Sequence, residues 1–114
     1  MLDLVFVYGT LRRGQRNHYM LRSSSFLGLH VTEPGYTMLD LGTYPGVVRG
    51  GHCAITGALY RITATTLARL DELEDYPDRY DRVVFATEHG RAWIYLYRHQ
   101  TGYERIIVCG DWLR

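Results

Sequence analysis

Glu74 is the residue whose position in the sequence best suits proton transfer. On a helical wheel of 100° per residue it continues the apolar stripe of Leu67 and Leu70, within an arc of about 60°. Apolar surroundings and the negative end of a helix dipole both disfavour a charged carboxylate. We therefore expect a raised pKa, which suits a general acid or base working near neutral pH. The alternative is that the helix frays at Tyr76-Pro77 and leaves Glu74 in water.

The turn Tyr8-Gly9-Thr10-Leu11 is the second candidate for chemistry. It follows an apolar run directly, and Gly9 is a residue able to take a positive φ. Successive free backbone N–H groups in such a turn can form a small anion-binding concavity, which suits a carboxylate. Arg12, Arg13 and Arg16 follow at once and could enlarge the site. The alternative is an ordinary tight turn with the arginines as solvated loop residues.

The elements that would position these residues are short strands and one helix. The run Leu4 to Tyr8 is apolar throughout and predicts a buried strand near the centre of a sheet. Thr63 is a suitable N-cap, Ile62 and Leu67 occupy hydrophobic-staple positions, and Pro77 forces a stop, so we place the helix at about residues 64 to 75. The stretch 31–51 should contain tight turns between short strands. Further strands are predicted at 54–62, broken by Gly57, and at 82–88 and 92–98, where they form a hairpin.

Length and composition are those of an ordinary globular domain. The 114 residues are 46% hydrophobic and 22% charged, which predicts one α+β domain spanning residues 1–114. A formal net charge of +1 predicts no binding of nucleic acid and no attachment to an anionic membrane. Met1 to Leu4 enters an apolar strand with no basic region before it, so we expect no signal peptide, no membrane span and a cytoplasmic protein.

Other kinds of chemistry lack their sequence patterns. The five histidines show no H-x-x-x-H or Cys/His spacing, so we expect no metal. Cys53 and Cys109 do not form a C-x-x-C pair, and we expect reduced thiols in structural roles. Neither G-x-G-x-x-G nor G-x-x-x-x-G-K-[ST] occurs, which disfavours nucleotide binding.

Taken in order, four segments resemble a known family. They are "VYGTLRRGQRNH" near the N-terminus, "GALYRI" before the helix, "LDELEDYPDRYDR" after it and the closing "GDWL". Together they span nearly the whole chain and are similar to the γ-glutamylcyclotransferase-like family, especially small bacterial members similar to γ-glutamylamine cyclotransferases. The Y-G-[ST]-L turn, followed about 65 residues later by a glutamate, a proline and Tyr80, is the most specific part of the match.

The resemblance implies a fold, a reaction and a site. The fold would be a small mixed β-barrel with one main helix and short flanking helical turns. The reaction would release 5-oxoproline from a γ-glutamyl compound without a cofactor. Glu74 would be the catalytic acid/base, Tyr8, Gly9, Thr10 and Leu11 would cradle the substrate, and Tyr80 would line the same pocket. The alternative is a non-catalytic module that binds a small amino-acid-like ligand there; neither the amine side of the substrate nor the oligomeric state follows from the sequence.

Overall fold

A computed structural model describes residues 2–114. These residues form two β-sheets and one α-helix, which follows the fifth strand in sequence. The strands are β1 (Leu4–Val7), β2 (Ser25–Val31), β3 (Tyr36–Asp40), β4 (Pro45–Arg49), β5 (Thr56–Arg61), β6 (Tyr80–Thr87), β7 (Gly90–Tyr97) and β8 (Arg105–Ile106). The helix α1 spans Ala64–Leu73, and a short 3-10 helix spans His18–Leu21. The predicted helix, the first strand and the β6–β7 hairpin are thereby confirmed.

β1 lies at the centre of the five-stranded sheet, whose order is β2-β5-β1-β7-β6. It pairs antiparallel with β5 and parallel with β7, and both of its faces are buried. Val5 and Val7 pack towards α1, whereas Leu4 and Phe6 belong to a second core cluster that includes residues of β3 and β4. Burial on both faces explains why β1 is apolar without alternation.

The second sheet has three strands in the order β4-β3-β8. Across residues 2–114 neither sheet closes on itself, so the barrel implied by the resemblance is not confirmed. The mixed α+β architecture is confirmed. No helix in this part of the chain is long and apolar enough to cross a membrane.

Gly57 does not break its strand, contrary to the prediction. β5 continues through it, and a Cβ built at this position would lie 2.5 Å from the Val7 carbonyl oxygen and 2.6 Å from Cζ of Phe6. The glycine is therefore required by the close approach of β5 to the central strand and the Phe6 ring.

Both ends of α1 are closed by local hydrogen bonds. The Thr63 hydroxyl accepts from the Thr66 N–H at 3.1 Å, which is the predicted N-cap. At the other end Asp75 has a φ of 54°, its N–H donates to the Glu72 carbonyl, and the Tyr76 N–H donates to the Asp71 carbonyl at 2.9 Å. This pair of bonds is a Schellman motif, which satisfies the last carbonyls of the helix. It fixes the helix end that follows Leu70 and carries Glu74.

Candidate active site

A cavity of about 340 Å3 lies where β1 runs into its turn, beside the end of α1. Its lining includes all six residues that the family resemblance assigned to the site: Tyr8, Gly9, Thr10, Leu11, Glu74 and Tyr80. The turn directly follows β1, Glu74 is the C-cap residue of α1, and Tyr80 is the first residue of β6. Segments separated by more than 60 residues in sequence therefore share one cavity.

Glu74 is the only carboxylate among the residues that line this cavity. Its backbone N–H closes the last helical hydrogen bond, to the Leu70 carbonyl at 2.9 Å, and its side chain is half-buried. Burial raises the pKa of the Glu74 carboxyl to about 7, and the positive charge of Arg79 acts in the opposite direction. Near neutral pH this carboxyl can both accept and release a proton.

The turn that lines the cavity contains three successive backbone amides without a partner in residues 2–114. The Arg12 N–H donates to the Gly9 carbonyl at 3.0 Å, which closes a four-residue turn. Within the described part of the chain, the N–H groups of Gly9, Thr10 and Leu11 find no hydrogen-bond acceptor. Since buried or half-buried backbone donors are nearly always paired, three successive free amides are a site for an oxygen of a ligand.

Asn17 holds this turn, and sequence reasoning missed it. Its side-chain amide donates to the Thr10 hydroxyl at 2.9 Å, and its backbone N–H donates to the Thr10 carbonyl at 3.0 Å. The two bonds fix Thr10, so the adjacent amides keep their direction without a ligand. No known sequence pattern links a threonine to an asparagine seven residues later, so this contact has no signal in the sequence.

Gly9 is required for a different reason from the one predicted. Its φ is not positive, so the turn does not use the left-handed conformation of glycine. Instead, a Cβ at this position would lie 2.7 Å from Cγ and 2.8 Å from Cδ of Pro45, the first residue of β4. The glycine lets the turn pack against the second sheet.

Two of the cavity tyrosines already use their hydroxyl protons within the protein. The Tyr8 hydroxyl donates to the Tyr95 carbonyl at 2.8 Å, and the Tyr80 hydroxyl donates to the Pro45 carbonyl at 2.8 Å. Burial, and after it nearby charges that include Glu74, raises the pKa of both phenols well above the usual range. Both therefore stay neutral, and their rings form apolar walls around the carboxyl.

Tyr95 is a further lining residue that the sequence did not reveal. Its hydroxyl donates to Asp71 Oδ1 at 2.8 Å. The same carboxylate also accepts hydrogen bonds from Nε and Nη2 of Arg82, at 2.8 and 3.1 Å. The Arg82 guanidinium lies between the rings of Tyr76 and Trp93, at 4.5 and 4.2 Å from their centroids. This network ties the last turn of α1 to β6 and β7, one helical turn before Glu74.

The three arginines after the turn have separate environments. Arg12 is neither a cavity residue nor the solvated loop residue of the alternative interpretation: it is 8% exposed, and its Nη1 lies 2.8 Å from Asp111 Oδ1. Arg13 is exposed and stacks over Phe26 at 5.0 Å. Arg16 is exposed, lines the cavity and donates to the Thr43 carbonyl at 2.7 Å.

The thiols and histidines form no second centre in the described residues. No group of three or more His, Cys, Asp or Glu residues in 2–114 could hold a metal ion. Cys53 and Cys109 are both free thiols; Cys53 is half-buried, whereas Cys109 is exposed.

Comparison with known proteins identifies the group to which this architecture belongs. The family described as "Gamma-glutamyl cyclotransferase, AIG2-like" matches residues 5–114. A Vibrio cholerae protein provisionally named as a γ-glutamylcyclotransferase is 47% identical over 112 residues, covering 98% of this chain and 96% of that one. The γ-glutamylcyclotransferase family protein YtfP of Escherichia coli is 38% identical, covering 96% of this chain and 95% of its own length.

Solved structures agree with the sequence matches. The solution structure of E. coli YtfP superposes with a TM-score of 0.80 at 37% identity, covering 96% of each chain. The crystal structure of an uncharacterised protein from Pyrococcus horikoshii gives a TM-score of 0.83 at 28% identity, covering 96% of this chain and 88% of that one. A nearly full-length family match and relatives above 30% identity show that the chain belongs to the γ-glutamyl cyclotransferase, AIG2-like family of enzymes.

Proposed function

We propose that the protein is a γ-glutamyl cyclotransferase that releases 5-oxoproline from a γ-glutamyl compound, with Glu74 as general acid and base. The observation that carries the proposal is the shared cavity of about 340 Å3: it is lined by a carboxyl whose pKa is about 7 and by a turn in which three successive backbone amides have no acceptor in residues 2–114. The small-molecule substrate class follows from the family, whose description names the γ-glutamyl group.

The reaction needs one proton acceptor that later becomes a donor. Ionised Glu74 takes a proton from the substrate's α-ammonium group, and the freed amine attacks the γ-carbonyl carbon to close a five-membered ring. The protonated Glu74 then gives its proton to the leaving nitrogen as the bond between the carbonyl carbon and that nitrogen breaks, and the ring nitrogen loses its second proton to the departing amine. The products are 5-oxoproline and the amine as its ammonium ion, and the carboxylate is restored.

The turn amides would stabilise negative charge on the substrate during the reaction. Held by Asn17, the N–H groups of Gly9, Thr10 and Leu11 would bind either the substrate's α-carboxylate or the oxygen that becomes negative as the ring closes. Because the nucleophile and the carbonyl belong to one molecule, fixing the bent conformation is a large part of the catalysis. The rings of Tyr8 and Tyr80 would restrict that conformation and keep water away from the carboxyl.

The test is to incubate the protein with γ-glutamyl amines, γ-glutamyl dipeptides and glutathione, and to measure 5-oxoproline. The wild type should release it from at least one of them, and Glu74→Gln should lower kcat by about 100-fold or more, since general acid/base catalysis contributes 10²- to 10⁴-fold. Ligand affinity should change by only a few fold, because glutamine keeps the shape. Glu72→Gln, an exposed change on the same helix, is the matched control.

Wild-type turnover in Glu74→Gln would show that another group moves the proton. Binding of a γ-glutamyl compound without any 5-oxoproline would favour the alternative, a non-catalytic module that uses the same cavity.

A further inference from the structure

A basic groove adjoins the candidate active site on the side of the segment 13–26. It encloses about 610 Å3 and is lined by Arg13, Arg16, Arg22, His18 and the aromatic rings of Tyr19, Phe26 and Tyr60, among others. Arg16 lines both this groove and the cavity that contains Glu74. A ligand that extends out of the cavity past Arg16 therefore enters the groove.

The positive charge of the groove is not compensated by any carboxylate in the described residues. No aspartate or glutamate lines it, and none of its three arginines forms an ion pair with a carboxylate in residues 2–114. The Arg16 side chain donates to a backbone carbonyl, that of Thr43, which leaves its charge in place. Arg12, by contrast, is neutralised by Asp111. Three unpaired guanidinium groups in one groove are a site for several negative charges.

One of these arginines is held in place without a carboxylate. The Arg13 guanidinium lies 5.0 Å from the centroid of the Phe26 ring, which is 44% exposed. Stacking restricts the side chain while its N–H groups remain able to bind a ligand in the groove. The groove is therefore partly preorganised for planar anionic groups such as carboxylates.

We propose that this groove binds the amine side of the substrate, and that the preferred substrates are γ-glutamyl peptides whose amine side carries two carboxylates. The inference rests on the proposed function. The γ-glutamyl unit occupies the cavity at Glu74 and the turn amides, so the leaving amine must extend outwards. Arg16 meets the first carboxylate at the mouth of the cavity, and Arg13 and Arg22 meet the second further along.

A matched substrate series tests the proposal. The series is γ-glutamylglutamate, γ-glutamylglutamine and the α-amide of γ-glutamylglutamine, whose amine sides have nearly the same shape and carry two, one and no carboxylates. Exposed ion pairs contribute about 0.2 to 1 kcal/mol each, so KM should fall by about 3-fold for each carboxylate. The double variant Arg13→Gln/Arg22→Gln should bring the KM ratio of the first two substrates close to 1.

Arg91→Gln is the control for removing a positive charge outside the groove. Trp93 pairs with Val5 in the parallel β1–β7 register, so Arg91 lies level with the start of β1, at the opposite end from the turn. It should keep the wild-type ratio. Raising the ionic strength should weaken binding of the two-carboxylate substrate most, because screening acts on exposed charges.

The outcomes separate the inference from the proposed function. If all three compounds release 5-oxoproline with the same KM, or if the double variant keeps the wild-type KM ratio of the first two substrates, the groove does not recognise the amine side and the inference is wrong. If none of the three releases 5-oxoproline while a γ-glutamyl amine or glutathione does, the proposed function stands and the inference is wrong. If no γ-glutamyl compound releases it, the proposed function fails, and NMR titration of the wild type with γ-glutamylglutamate decides the inference. Shifts of the Arg13, Arg16 and Arg22 side-chain resonances would support the groove as a binding site, and their absence would overturn it.

Discussion

The titration of Glu74 should be visible in the stability of the protein as well as in its rate. Burial raises the carboxyl pKa from 4.5 to about 7 in the folded state, so between these values the folded protein binds more protons than the unfolded chain. Stability should therefore fall as the pH rises through this window and stay lower above it. At about 1.4 kcal/mol per pKa unit, the penalty is about 1 kcal/mol at pH 5 and about 3 kcal/mol at pH 9.

Glu74→Gln removes this penalty because glutamine does not titrate. The free energy of unfolding of the variant, relative to wild type, should increase by about 2 to 3 kcal/mol between pH 5 and pH 9. Any effect of the substitution that does not depend on pH cancels in this comparison. Urea unfolding of both proteins at a series of pH values measures the difference.

Two further measurements should report the same ionisation. Carboxyl-carbon NMR, with Glu74→Gln as the assignment control, should give a pKa close to 7 for this residue. The acidic limb of the kcat/KM profile should have the same midpoint, since the ionised form accepts the substrate's proton. A stability difference that does not change with pH, together with titration near 4.5, would refute the reasoning and mean that the helix end is open to water.

Three other substitutions test the contacts around the cavity. Gly9→Val should reduce affinity for a γ-glutamyl ligand by about 10-fold or more, because its Cβ would overlap Pro45 and shift the turn amides. The free energy of unfolding should fall by less than this change in binding free energy. Normal binding would mean that the turn only connects two elements. Asp71→Asn should cost about 1 to 3 kcal/mol in urea unfolding, since it breaks a half-buried bidentate pair, whereas Glu72→Gln should stay within about 0.5 kcal/mol; equal effects would contradict the role of the pair. Arg12→Gln should lower the free energy of unfolding by about 1 to 3 kcal/mol, because it leaves the largely buried Asp111 carboxylate without its partner. An unchanged melting temperature would show that the ion pair does not stabilise the protein.

The parts of the fold that the sequence predicts are those with a strong local pattern. β1 is a continuous apolar run, α1 has a cap at Thr63 and an apolar stripe, and β6 and β7 flank a short turn. β2 was not predicted, because it is an edge strand of mixed polarity with little local signal. The closure into a barrel depends on which distant edges pair, and no local pattern reports that.

The same division applies to the site. Glu74 follows from its place on the Leu67 and Leu70 face, and the turn follows from a glycine after a buried strand. Asn17 was missed because its two hydrogen bonds to Thr10 have no sequence signature. The reason for Gly9 was also wrong, since its requirement comes from a side chain on another sheet rather than from its own backbone conformation.

The sequence by itself determined the chemical types available: a carboxylate on an apolar helix face, a glycine turn with free amides, and a family resemblance spanning the chain. Only the tertiary structure decided which of them meet. The pairing of Arg12 with Asp111 joins residues 99 positions apart. Arg13 and Arg16 look equivalent to Arg12 in the sequence, yet within residues 2–114 they pair with no carboxylate and line the basic groove. The physical reason is that charge compensation and burial depend on what the folded chain brings within a few ångströms, whereas local sequence fixes only backbone preference and hydrophobic period.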